Sequence, residues 1–148
     1  MVKFRWPRCV GFDFCGIVDK VGSADSKFQI GDRVCGMIKE LPQANSGTVA
    51  EYCLVDESIC AKCPEGFDAA QCAALPLTSI TVLLAFGKTG LKEREPSSEE
   101  AAGSDGPRFL ILGGAGGVGV AAIQIAKNVY GASFIATTAS AGAKTELW

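Results

Sequence analysis

Histidine is absent from all 148 residues. Without it the chain can build neither a Ser/His nor a Cys/His nucleophile, and no imidazole is available to hold a metal. Nor does either sign of charge predominate. The net charge is −2 and the basic residues are scattered, which leaves no electrostatic footprint for nucleic acid. No run approaches the roughly 18 consecutive apolar residues of a membrane span. The basic start Met1-Val-Lys-Phe-Arg-Trp-Pro7 has no apolar stretch behind it, so no secretory signal is expected. Those absences favour a cytoplasmic protein, with an organelle still open if an upstream segment exists. No internal repeat is found.

Cysteine, by contrast, is plentiful: Cys9, Cys15, Cys35, Cys53, Cys60, Cys63 and Cys72. An odd number of cysteines without a signal peptide reads as reduced thiols, mostly small core residues. Cys60-Ala-Lys-Cys63 has metal-ligand spacing, but a structural zinc takes four ligands, usually as two such pairs, and only one pair is present. No metal site is therefore expected. A redox pair is also disfavoured, because Pro64 follows directly and no helix opens there. Phe86-Gly-Lys-Thr89 resembles the end of a P-loop, but Val82 stands where its first glycine belongs.

The richest segment is Arg108-Phe-Leu-Ile-Leu-Gly-Gly-Ala-Gly-Gly-Val-Gly-Val-Ala-Ala-Ile-Gln-Ile-Ala-Lys127. Phe109 to Leu112 is a continuous apolar run, expected as a parallel strand buried on both faces. Gly114, Gly116 and Gly119 fit G-x-G-x-x-G, in which one glycine turns sharply, one admits a pyrophosphate and one packs a helix closely. Val118, Ala121, Ala122, Ile125 and Val129 then recur on one face of a helix, with Gly131 as its C-cap candidate. Ser133 to Thr138 reads as a second strand. Strand, turn, helix and strand in this order predict a dinucleotide site with the pyrophosphate on free N–H groups at the helix start.

Folds that prefer NAD usually place Asp or Glu roughly 20 residues beyond the glycines, to hold the ribose hydroxyls. Here Thr137-Thr138-Ala139-Ser140 occupies that place, and no carboxylate appears before Glu146. Ser140 and Lys144 suit a 2′-phosphate that a carboxylate would repel, which favours NADPH. The other reading of Lys144 is a solvated surface lysine.

Residues 1 to about 63 look β-rich, with strand-like runs at Gly16–Gly22, Gly31–Cys35 and Ala50–Val55 bounded by turn residues. Their spacing suits a small barrel or sandwich. Ala69 to Phe86 is mostly apolar and broken by Pro76, and reads as two helical pieces. Lys92 to Pro107 is charged, rich in Ser, Gly and Pro, and has no apolar face, so it reads as a solvated linker or insertion.

The motif order strongly resembles the medium-chain dehydrogenase/reductase superfamily. It runs from Gly11-Phe-Asp-Phe-Cys-Gly-Ile-Val-Asp-Lys-Val-Gly22 through Phe28-Gln-Ile-Gly-Asp-Arg-Val34, Gly47-Thr-Val-Ala-Glu-Tyr52 and Ala73-Ala-Leu-Pro-Leu-Thr-Ser-Ile-Thr81 to the glycine cluster. Within that superfamily it is most similar to the zinc-independent quinone oxidoreductase and enoyl reductase branch. The resemblance implies an α/β protein: a partial GroES-like barrel with connecting helices at 1–87, a linker at 88–107, and the first β-α-β unit of a Rossmann fold at 108–148. It implies NADPH in a cleft and hydride transfer to a quinone or to a carbon–carbon double bond conjugated to a carbonyl, in a small-molecule substrate. It places cofactor contacts on Thr81, on Gly114, Ala115, Gly116, Gly117, Val118 and Gly119, and on Ser140 and Lys144. Thr81 could instead simply bond back to its own helix. Tyr52 reads as a half-buried barrel residue rather than a proton donor.

Departures from the family pattern are equally informative. Phe12 and Asp13 stand where zinc-dependent relatives carry Gly-His-Glu chemistry, so a catalytic zinc is disfavoured. No catalytic residue can be assigned. A Rossmann sheet holds about six strands, against two expected here, and the chain reads as a fragment. A homodimer is admissible for the full-length protein, but the oligomeric state is not legible in these residues. The alternative function is a truncated, catalytically inactive nucleotide-binding or interaction module.

Overall fold

The computed structural model describes residues 9–38, 47–94 and 106–140. The chain forms two compact units, Met1–Leu77 and Thr78–Trp148.

In the first unit, β1 (Asp13–Ile17), β2 (Arg33–Met37) and β3 (Cys60–Lys62) form an antiparallel sheet in that order. Cys15 lies opposite Cys35, and Gly36 opposite Cys60. Side chains alternate across a strand, so this register sorts the residues onto two faces. One face puts Phe14, Val34 and Cys60 into a core with Phe28, against which Val18 and Val55 pack. The other carries Asp13, Cys15, Arg33 and Cys35. Among the described residues this sheet is open and not a closed barrel.

The strand expected at Ala50–Val55 does not form, and the one expected at Gly16–Gly22 ends at Ile17. Tyr52 and Leu54, two residues apart, are 76% and 96% exposed. The alternating pattern is present there, but no layer among the described residues covers its apolar side. Tyr52 is thus exposed rather than half-buried.

Pro76 divides the apolar segment as its chemistry predicts. α1 (Ala69–Ala73) opens on a capping box in which Asp68 accepts from Gln71 N–H at 2.8 Å and the Gln71 side chain accepts from Asp68 N–H at 3.0 Å. α2 (Pro76–Gly87) begins with the proline, whose missing N–H costs nothing in a first turn. By length and composition Ala69–Gly87 is apolar enough for a membrane span, which a search for unbroken apolar runs misses. The stretch is nevertheless interrupted at Ala74 and Leu75.

In the second unit, β4 (Arg108–Ile111) and β5 (Phe134–Thr137) pair in parallel, Ile111 beside Thr137, joined through α3 (Gly117–Asn128). Val82 of α2, Ile111 and Ala122 form the core. Phe86 stacks 4.9 Å from Phe109 and meets Tyr130 edge-on at 5.4 Å. The strand Phe109–Leu112 was expected to be buried on both faces, yet Leu110 is 70% exposed and Leu112 75%. In a two-stranded sheet α3 and α2 cover one side, and nothing among the described residues covers the other. Helix α3 ends at a Val129 cap, two residues earlier than Gly131, which has φ +62 and lets Ala132 N–H reach Ala126 O at 2.9 Å. Of the linker, residues 95–105 lie outside the described residues, while Arg94 N–H donates to Val129 O at 2.8 Å.

Candidate functional site

The glycine turn between β4 and α3 is built by division of labour among its glycines. Gly113 has φ +77 and makes the sharp turn, a role the motif spacing had given to Gly114. The left-handed conformation belongs to the residue that leaves the strand, one place earlier. Gly114 is required for a different reason. A Cβ there would collide with the Thr137 side chain on β5. Gly119 plays the packing role expected of it: a Cβ would collide with Gly113 O and come within 2.7 Å of Gly114 Cα.

Hydrogen bonds fasten the turn to the end of β5. Gly113 N–H donates to Thr138 Oγ1 and Gly114 N–H to Thr138 O, both at 2.9 Å, while Thr137 Oγ1 donates to Ile111 O at 2.7 Å. The first intrahelical bond runs from Val120 N–H to Gly116 O at 2.8 Å. Gly117, Val118 and Gly119 therefore supply the N–H groups of the first helical turn, which an α-helix leaves without intrahelical partners. Gly116 caps α3 with no side chain. Around Gly117 an added Cβ would find only the Thr78 methyl, at 3.6 Å. A helix start with donors, positive dipole and a glycine cap suits a phosphate group. These residues fit a dinucleotide pyrophosphate.

Of the residues expected from sequence, Gly114, Ala115, Gly116, Gly117, Val118 and Gly119 come together in this turn. Thr81 is exposed on α2, and the α2 side chain recorded against the turn is Thr78, one helical turn earlier. Ser140 is exposed just beyond β5, and Lys144 lies outside the described residues. Sequence reasoning missed Gly113, Thr78 and the anchoring by Thr138. Two signals were available: the doubled glycine at a strand end, and a threonine three residues before Thr81 on the same helix face.

The first unit holds a second concentration of chemistry. Cys15 Sγ lies 3.4 Å from Cys63 Sγ, and the Sγ atoms of Cys15, Cys63 and Cys72 all lie within 4.8 Å of one another. Burial, with the Cys63 thiol beside it, pushes the Cys35 thiol up to about 12. Burial also raises the Cys72 thiol. Cys60 and Cys63 do not act as a pair, because they point to opposite faces of the sheet; Cys60 Sγ donates to Asp56 O at 3.1 Å. Nearby, Asp13 Oδ1 accepts from Leu77 N–H at 2.7 Å, and burial raises this carboxyl above its ordinary value despite that bond.

Residues 1–65 match the alcohol dehydrogenase GroES-like domain. The chain is 41% identical over 137 residues to an NADPH-dependent alkenal/one oxidoreductase, chloroplastic, of Arabidopsis thaliana, covering 90% of this chain and 32% of that protein. Among solved structures it is similar to a protein of Rhizobium etli described as a zinc-dependent alcohol dehydrogenase. There the TM-score is 0.72 at 37% identity, over 94% of this chain and 38% of that one. It is also similar to the quinone oxidoreductase of Coxiella burnetii, with TM-score 0.69 and 32% identity over 90% of this chain and 37% of that one. The chain thus spans about a third of the length of the curated relatives it matches.

Proposed function

We propose that this chain belongs to the medium-chain dehydrogenase/reductase superfamily, and that it is part of an NADPH-dependent reductase acting on quinones or on carbon–carbon double bonds conjugated to a carbonyl. The single observation that carries this reading is the β4–α3 turn, where a glycine cap opens α3 and a Cβ on Gly117 would meet only the Thr78 methyl. The names of the relatives from Arabidopsis and Coxiella supply the substrate classes.

Bound NADPH would supply the hydride. The chain's own residues do the holding. The N–H groups of Ala115, Gly117, Val118 and Gly119 would receive the pyrophosphate, that of Gly116 being taken by Gly113 O at 3.0 Å, and Thr78 and Thr81 border the α2 side. Ser140 and Lys144 take the 2′-phosphate, and the missing carboxylate at Thr137-Thr138-Ala139 spares that phosphate a repulsion. In this reading residues 1–87 form the barrel-derived part and 108–148 the nucleotide half. Zinc independence rests on Phe12 and Asp13 occupying the positions of a metal-ligating motif. A chloroplastic relative makes an organelle as admissible as the cytoplasm.

The experiment is a titration of the full chain with NADPH and, separately, NADH, read by nucleotide fluorescence, followed by turnover with a quinone and with an alkenal. Enhanced NADPH emission that exceeds the NADH response, with consumption of either substrate, supports the reading. Binding without turnover would favour the inactive-module alternative. No binding of either nucleotide would defeat both.

A further inference from the structure

We propose that Cys15, Cys63 and Cys72 form a trithiolate site for a thiophilic metal ion with a filled d shell, Zn(II) or Cu(I), with Cys35 at its edge. The residues come from three separate parts of the chain, and the fold explains their meeting. In the β1–β2–β3 register Cys15 and Cys35 sit side by side on the face opposite the Phe14 core, and Cys63, directly after β3, continues the same face. Helix α1 lies over β1 and β2 and presents Cys72, which has no exposed surface at all. Cys60, three residues from Cys63, faces the opposite core. The spacing that suggested a Cys-x-x-Cys pair therefore concealed the actual group.

The geometry suits such an ion. Three sulfurs bound at about 2.3 Å stand about 3.8–4.0 Å from each other. The observed separations, 3.4 Å for Cys15 and Cys63 and none above 4.8 Å in the group, differ from that by about an ångström or less. Thiolates are soft ligands, and the absence of histidine and of a carboxylate from the group favours ions that accept sulfur alone. Binding replaces three S–H protons by three metal–sulfur bonds and releases the protons to water. Burial raises the Cys72 thiol, and the charge of the Arg33 guanidinium, which donates to Phe67 O at 2.8 Å, opposes that rise.

The test is metal loading of the full chain, purified anaerobically with reductant and without chelator. One arm uses Zn(II) alone and the other Cu(I) alone, each followed by gel filtration, native mass spectrometry and X-ray absorption at the retained metal. One ion per chain with three sulfurs in its inner shell is expected, alone for Cu(I) and joined by a water or the Cys35 sulfur for Zn(II), and the arm that retains it identifies the ion. Cys15→Ser and Cys63→Ser should each lose the ion, while Cys9→Ser keeps it. A hydroxyl at fully buried Cys72 threatens folding, so the inner-shell measurement on the unsubstituted chain stands independently of any variant. No retention in either arm, a shell dominated by nitrogen or oxygen, equal loss in Cys9→Ser, or a Cys15–Cys63 disulfide in the anaerobic chain would each overturn the proposal.

Discussion

Thr137 occupies the space that any side chain on Gly114 would need, and this contact joins the start of the phosphate turn to the end of β5. It separates two kinds of glycine in one motif: those the fold requires and those the ligand requires. Gly114→Ala should therefore lower the stability of the chain by about 1–3 kcal/mol through overpacking. Gly117→Ala meets only the Thr78 methyl at 3.6 Å and lies in a helix that favours alanine. Its unfolding midpoint should match or exceed that of the unsubstituted chain while NADPH binding weakens. Denaturation curves and nucleotide titrations of both variants check this, and equal effects on folding would refute the division.

Cofactor choice is expected to follow Lys144 and Ser140. Lys144→Glu should weaken NADPH binding more than NADH binding, and Ser140→Ala should do so to a smaller degree. An equal loss for both nucleotides would remove the 2′-phosphate from the reading.

Asp13 and Asp32 should give the stability curve opposite slopes. Burial raises the Asp13 carboxyl above its ordinary 3.8, so the folded chain holds that proton more tightly than the unfolded one. Its contribution therefore falls as pH rises from 3.8 through the folded value, then levels. Asp32 accepts from Gln29 N–H and pairs with Lys62 at 2.9 Å, which holds its carboxyl below 3.8. Its contribution is present above 3.8 and is lost as pH falls through the lower, folded value. Urea midpoints across acid and neutral pH should show that Asp13→Asn removes the first slope and Asp32→Asn the second. Asp13→Ala, which also leaves Leu77 N–H without its carboxylate partner, should cost about 1 kcal/mol.

Phe86 touches both Phe109 and Tyr130, so Phe86→Ala should cost about 3 kcal/mol. Phe86→Leu should recover most of it. A thermal midpoint unmoved by Phe86→Ala would show that the aromatic group does not support the second unit.

Much of the second unit was legible before any coordinates. The run Phe109–Leu112, the glycine cluster and the helical recurrence of Val118, Ala121, Ala122 and Ile125 are local patterns, and local patterns are what backbone geometry reads directly. The same holds for Pro76 dividing two helices. The first unit was harder. Ala50–Val55 has the alternation of a strand, but alternation describes a surface and not the layer that must cover it.

By itself, then, the sequence determined the order strand, glycine turn, helix, strand, and with it the kind of ligand such a turn can hold. Tertiary structure decided which glycine turns and which one merely clears Thr137, because close approach depends on the β4–β5 register rather than on neighbours in the chain. It also decided the company of the cysteines. Cys15, Cys63 and Cys72 share no spacing that marks them as a set, and they meet only because two strands pair, a third residue continues the same sheet face, and a short helix closes over it.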